Sequence, residues 1–476
     1  MHDESNRDDV PGREPLDPSP EQMRKHGYEL IDRLVEHFET LSDQRVARRS
    51  TSQELSALVD EPLPQDGCEI EGCFDVFFKQ MVPTMTRVNH PRFHAFIPCP
   101  SSFAGALGMM LAAGTNPFVG SWLGGASIAS LELTVLRWIK EMLELDPKCE
   151  GILTSGGSTA NLIGLASARA KFGMNVLQSG RIYVSEEGHA SMDKAAAILG
   201  FTAQQIRTVP SQDDYRMNLD ALQSMVDADK RDGLIPFFVS GNAGTTNTGA
   251  IDDLVELAQI CERCELWFHV DAAYGGFAAM VPEIRTQMSG LELADSITLD
   301  PHKWLYCPMG VGCAFVKDVN YLNAAFSAHG NYLKDLDEDE INFLDRGPEL
   351  SRPARVLPVW MLIRTAGLKE LQHQIREDIR LARMAESLLR EDDRFEVEPA
   401  RLSIVVFRHR LLEGESAVDA AERDDTLMNA TLADGELMLS STTSRGRNCL
   451  RLVVMNHRTS ETDIHRSVRK IRELAV

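Results

Sequence analysis

The stretch Ser296-Ile-Thr-Leu-Asp-Pro-His-Lys-Trp-Leu305 decides how this chain is read. Ser296–Leu299 is a short strand candidate, and Asp300-Pro301 ends it, because proline cannot donate to a central ladder. Lys303 therefore stands just past a buried strand, a place where lysine is rare unless it is used. Upstream, a second apolar run from Leu266 to Val270 ends in Asp271-Ala272-Ala273-Tyr274. Further upstream, Gly151–Thr154 runs into Ser155-Gly156-Gly157-Ser158, a glycine turn that opens a helix-like segment. Ile182–Ser185 and Ile235–Val239 are further strand candidates, with helical patterns such as Leu219, Leu222, Met225 and Val226 between them. This alternation over residues 103–365 predicts an α/β domain, a mostly parallel sheet covered by helices on both faces. Sheets of that kind bind ligands beyond the carboxyl ends of their strands.

Three chemical groups collect there. Lys303 offers an amine for a Schiff base once it loses its proton. Asp271 offers a carboxylate to keep a pyridine nitrogen protonated. Gly156, Gly157 and Ser158 offer backbone amides at a helix start, which suit a phosphate. Pyridoxal phosphate needs all three. Taken singly each signal is ordinary, since Gly-Gly-Ser-Thr is commonly a cap and Asp271 alone could cap a helix.

The runs Asn89-His-Pro-Arg-Phe-His-Ala-Phe96, His269-Val-Asp-Ala-Ala-Tyr274, Pro301-His-Lys-Trp-Leu305 and Asn331-Tyr-Leu-Lys334 carry a resemblance. In order and spacing the chain resembles the pyridoxal-phosphate-dependent group II amino-acid decarboxylases, and among them the aromatic L-amino-acid decarboxylases, from about residue 20 onward. The resemblance implies fold type I, with a seven-stranded sheet in a large cofactor domain (103–365). It also implies an N-terminal helical dimerisation segment (21–102), a smaller C-terminal α+β domain (366–476), and a homodimer with shared active sites. Gly157, Ser158, His189, Thr246, Asp271, Ala273, His302 and Lys303 would bind the cofactor. In that set the Ala273 methyl packs on one ring face, His189 stacks on the other, and Thr246 lies near the phenolic oxygen. Lys303, His189, His302 and Tyr332 are the catalytic candidates. Tyr332 falls in the polar, acidic segment Ser327–Gly347, which matches the family's mobile loop, and would protonate Cα. Asp300 departs from the pattern, since animal members have Asn beside the phosphate. A carboxylate there would repel a dianion, so Asp300 is left out of the binding set.

The side-chain pocket implied by the resemblance comprises Phe96, Ile97, Pro98 and Cys99, with Phe118 and Gly120 from the second subunit. Catechol enzymes have Thr at the Cys99 position and Phe at the Gly120 position. Glycine there implies room for a bulkier ring such as indole, and no basic residue is present to pair a distal carboxylate. The expected reaction is decarboxylation of an aromatic L-amino acid (tryptophan, phenylalanine, tyrosine or DOPA type) to the amine and carbon dioxide. Aldehyde-forming relatives typically change the residue at Tyr332 or His189, and both are intact. The alternatives are a group II decarboxylase of a non-aromatic amino acid, an aromatic aldehyde synthase, another fold type I enzyme such as an aminotransferase, and a non-catalytic scaffold.

Composition agrees with a large globular enzyme. At 476 residues two or three domains are expected, and a net charge of -22 counts against nucleic acid or anionic membrane as partner. Residues 1–20, acidic and proline-rich, are expected to be a disordered tail. Phe96 to Leu131 holds no charged residue, yet Pro98, Pro100 and Pro117 exclude a membrane helix and leave a dry interface or cofactor wall. The periodic Leu30, Ile31, Leu34, Val35, Phe38 and Leu41 predict an amphipathic helix over 21–41 that must cover a partner surface. The nine cysteines lack framework spacing and imply reduced thiols in a cytoplasm. Cys261-Glu-Arg-Cys264 is read as two helix thiols, and no metal site is expected. Strands at Leu402–Phe407 and Leu450–Met455 and a last helix from Glu461 complete the C-terminal domain.

Overall fold

A computed structural model describes residues 17–327 and 340–475. Two compact units divide the chain, one ending at Arg87 and one beginning at Val88. The first unit opens with a helix, Pro20–Glu39, whose start is set by a reciprocal cap between Ser19 and Gln22 and by proline in the first turn. Arg33 holds it to Asp75 at 2.7 Å. None of its residues is fully buried, so the stripe predicted from the sequence remains partly open. The expected tail lies, up to residue 16, outside the described residues.

The second unit contains both sheets. The large sheet has strands β1 (Glu150–Thr154), β2 (Gly180–Ser185), β3 (Ile206–Val209), β4 (Ile235–Asn242), β5 (Trp267–Asp271), β6 (Ser296–Leu299) and β7 (Gly312–Val316). Their order is β1-β7-β6-β5-β4-β2-β3, and only β7 runs antiparallel to its neighbours. Strands buried on both faces read as apolar runs, which made β1, β2, β4, β5 and β6 legible. The sequence reading did not place β3, an edge strand with only Val209 buried, or β7, which lacks a helix of its own before it. The smaller sheet, β10-β11-β9-β8, comprises β8 (Phe395–Val397), β9 (Ile404–His409), β10 (Ser440–Ser444) and β11 (Arg447–Val453). It closes a second core around Leu381, Phe407, Leu452 and Ile464.

The first boundary differs from the expected 102/103. Within residues 88–102, Arg92 and His94 bond beside the small sheet: His94 N–H donates to Met438 O at 2.9 Å, Val453 N–H donates to His94 O at 3.0 Å, and Arg92 pairs with Asp463, whereas Ser102 N–H donates to Tyr306 O at 2.9 Å. One helix, Val356–Arg390, spans the expected 365/366 boundary and kinks at Gly367, where φ is +74°. Among the described residues no helix is long and apolar enough to cross a membrane. The uncharged stretch forms a loop and the helices Phe103–Thr115 and Trp122–Leu143, and it leaves Phe96, Met110 and Leu123 at 60%, 54% and 73% exposure.

Candidate active site

The strand ends supply the site. Ser155–Gly157 follow β1, His189 follows β2, Thr246 follows β4, Asp271 ends β5, and Asp300, His302 and Lys303 follow β6. All of these line one cavity of about 300 Å³. The proposed cofactor set, Gly157, Ser158, His189, Thr246, Asp271, Ala273, His302 and Lys303, is therefore brought together in full. Gly156 adopts φ +148°, a backbone that favours glycine, as it caps the helix Gly157–Phe172. A Cβ on Gly157 would lie 2.9 Å from Asp300 Oδ2 and 3.1 Å from the Ala273 methyl. Any side chain there would fill the cradle in front of the helix amides.

Lys303 is held by the segment that carries it. Trp304 stacks on Tyr274 with centroids 5.0 Å apart, and its indole N–H donates to Asp378 Oδ2 at 3.0 Å. Tyr306 O–H donates to the same oxygen at 2.8 Å. Burial pushes the Asp378 carboxyl up to about 7. The Lys303 side chain is 16% exposed, and Asp300 Oδ2 lies 3.0 Å from its Nζ. Burial alone would lower the lysine pKa, but Asp300 and Asp271 together raise it. His302 Nδ1 donates to Val311 O at 2.7 Å, which leaves Nε2 as the acceptor of the neutral ring. Burial lowers the His302 pKa and favours that neutral form.

A buried relay orients Asp271. Its Oδ1 accepts from Ala273 N–H at 3.1 Å, and its Oδ2 accepts from Asn161 Nδ2 at 2.9 Å. Asn161 Nδ2 also donates to Ser191 Oγ at 2.8 Å, so Asn161 Oδ1 must be the atom that meets His269 Nε2 at 2.9 Å. His269 therefore carries its proton on Nε2, and Nδ1 accepts from Ser296 Oγ at 2.8 Å. Ser296 in turn accepts from Trp267 Nε1 at 2.7 Å. At the other end Ser191 Oγ lies 2.8 Å from His189 Nδ1, which also accepts Ser191 N–H at 3.2 Å. His189 Nε2 then bears that ring's proton. Burial holds the His269 pKa down to about 4, so that ring stays neutral. Gly164 allows the helix this close, since a Cβ there would lie 2.7 Å from His269 Nδ1.

The sequence reading left Asn161 without a role and gave His269 none. The available signal was strand alternation, which puts residues 269 and 271 on one face of β5. Asp300, excluded from the binding set because of its charge, is a wall of the cavity and the ion-pair partner of Lys303. Tyr332 lies outside the described residues.

The six side-chain-pocket candidates do not line this cavity. Cys99 is within electrostatic reach of Lys303 and Asp300, and burial pushes its thiol up to about 12. Phe96 has φ +55°, with its N–H on Ser440 Oγ and its carbonyl accepting from Arg451. Ile97 is half-buried and Pro98 buried. Gly120 corrects one expectation. Its missing side chain leaves no room, because a Cβ would meet Leu350 O and the Phe118 ring, 2.9 Å away. Glycine there permits close packing within the chain and does not enlarge a pocket. All nine cysteines are free, Cys261 and Cys264 lie buried on one helix, and among the described residues no cluster could hold a metal ion.

The profile of the pyridoxal-dependent decarboxylase conserved domain matches residues 53–410. An aromatic-L-amino-acid decarboxylase of Bacillus atrophaeus is 35% identical over 466 residues, 97% of each chain. A phenylacetaldehyde synthase of Arabidopsis thaliana is 31% identical over 96% of each chain. Among solved structures, Oryza sativa TDC with PLP and tryptamine superposes with a TM-score of 0.93 at 28% identity, covering 97% of this chain and 99% of that one.

Proposed function

The chain belongs to the pyridoxal-dependent decarboxylases, and from that premise we propose that it converts an aromatic L-amino acid to its amine and carbon dioxide. The observation that carries the reading is one cavity that joins Lys303, Asp271 and the glycine turn at the carboxyl ends of three strands. The donor set fits pyridoxal phosphate. The amides of Gly156, Gly157 and Ser158 would take its phosphate, and Asp271 its ring nitrogen. Ala273 and His189 would cover the two ring faces, with Thr246 near the phenolic oxygen. Bound there, the cofactor supplies an electron sink for the pair released when the Cα–carboxylate bond breaks.

The rest falls to the chain. Lys303 would anchor the cofactor through its side-chain amine. The relay through Asn161 keeps the Asp271 carboxylate aimed. Tyr332 gives the proton to Cα, and Cys99, with its thiol kept neutral, packs near the substrate side chain. The exposed apolar surface of residues 96–131 supports a homodimer, because a patch of this kind is seldom left to water. The free cysteines support a reducing cytoplasm.

The test is a panel of L-amino acids incubated with the loaded enzyme, with carbon dioxide, amine, keto acid and peroxide quantified. Amine and carbon dioxide in equal amounts from aromatic substrates are expected. Keto acid as the product would make it an aminotransferase and overturn the reading. Light scattering checks the dimer, and a fully active 52.9 kDa monomer would refute it.

A further inference from the structure

Among the described residues, Asp300 is the one acid lining the cavity that the proposed reaction does not use. Its side chain is 3% exposed. Oδ2 lies 3.0 Å from Lys303 Nζ and 3.6 Å from His302 Nε2, while Oδ1 is buried with no partner among the described residues. The same Oδ2 lies within reach of a Cβ on Gly157, so the carboxyl stands between the lysine and the phosphate turn. Two difficulties meet at this point. Lys303 must become a neutral amine to react, and a carboxylate beside a phosphate dianion is repelled.

We propose that Asp300 is the counter-ion that gates cofactor loading at Lys303: their 3.0 Å pair holds the lysine as an ammonium in the free enzyme, and the amine reacts only once that proton has left for solvent. The balance is simple. The ammonium gives one proton to solvent, and the two protons left on the amine nitrogen would leave as water with the aldehyde oxygen when the C=N bond forms. No electron is gained or lost. The other groups around the lysine are Asp271 from β5, Tyr274 beyond it, His302 beside it, His189 from the loop after β2, and Cys99 from the segment before the large sheet. Asp271 is committed to Asn161 and the Ala273 N–H. His302 Nε2 is farther from the carboxyl than Nζ is. That leaves Asp300 as the counter-charge in contact with Nζ. Loading becomes a pH-gated step, slow where the ion pair is intact.

The proposal rests on the cofactor assignment, and the test separates the two. Cofactor-free enzyme is labelled with cyanate over a pH series, and carbamylation of Lys303 is followed by peptide mass spectrometry, with no cofactor present. In Asp300→Asn the midpoint should fall by about one to three pH units, the usual effect of a contacting opposite charge. Labelling at neutral pH should then be about tenfold faster or more. Stopped-flow absorbance on addition of pyridoxal phosphate should show loading shifted in the same direction. An unchanged midpoint in Asp300→Asn, with both proteins still loading, overturns the role of Asp300 alone. Failure of both proteins to bind pyridoxal phosphate overturns the cofactor reading. Should Asp300→Asn not fold, Asp300→Ser gives the same two readings.

Discussion

Replacing Asn161 with leucine tests the relay behind Asp271. The amide is 1% exposed and fully committed, with two hydrogens on Asp271 and Ser191 and its oxygen on His269. Leucine has a similar volume and none of these bonds. The charge-assisted bond to Asp271 is lost, at about 1.5–3 kcal/mol, and the His269 Nε2–H is left buried without an acceptor, at about 1–3 kcal/mol. Urea unfolding of the cofactor-free protein should show a loss of about 3 kcal/mol or more. Cofactor affinity should fall by about tenfold, since one such bond is worth that much. A second substitution separates the two contributions. His269→Leu with Asn161→Leu removes both partners, so the double variant should cost about 1–3 kcal/mol less than the two single losses combined. Stability of Asn161→Leu within about 0.5 kcal/mol of the parent, the range of neutral surface changes, would refute the reasoning.

Lys303→Ala should lose turnover and the visible absorbance of the lysine-bound cofactor while its circular dichroism stays unchanged; a retained visible band would contradict the anchor role. Asp378 has its carboxyl raised to about 7 in the fold, so the native state holds a proton that the unfolded chain releases near pH 4. Its contribution is therefore full below about pH 4 and is lost as pH rises towards about 7, at up to about 1.4 kcal/mol per pH unit. Asp378→Asn keeps an acceptor for Trp304 and Tyr306 and should remove that slope; urea midpoints for parent and variant that run parallel from pH 4 to 7 would disprove it. Tyr332→Phe should cut amine formation by about 10²–10⁴-fold, the range of general acid catalysis, and bring out aldehyde, ammonia and peroxide. Amine yield close to the parent without peroxide would leave Tyr332 as an ordinary loop aromatic.

The chemistry of the site was legible in the chain because its parts are local. Lys303 sits three residues past Asp300, Asp271 closes an apolar run, and the glycines stand where a strand meets a helix. Buried strands read as apolar stretches, so β6 could be placed residue for residue and most of the sheet followed. Other features depended on neighbours far apart in sequence. Asn161 and His269 meet because a helix and a strand pack closely at Gly164, and Asp378 reaches Trp304 and Tyr306 from a helix more than seventy positions on. Arg92 and His94 lie against the small sheet because their backbone bonds to Met438 and Val453. Two inferences from residue type alone gave way to geometry. Gly120 seemed to mean open space but marks close packing against Leu350 and Phe118, and Asp300 seemed out of place but has Lys303 as its counter-charge. A sequence specifies which groups are present; which of them face one another, and so which charges are paired and which volumes are filled, was decided by the packing of helices against the sheet.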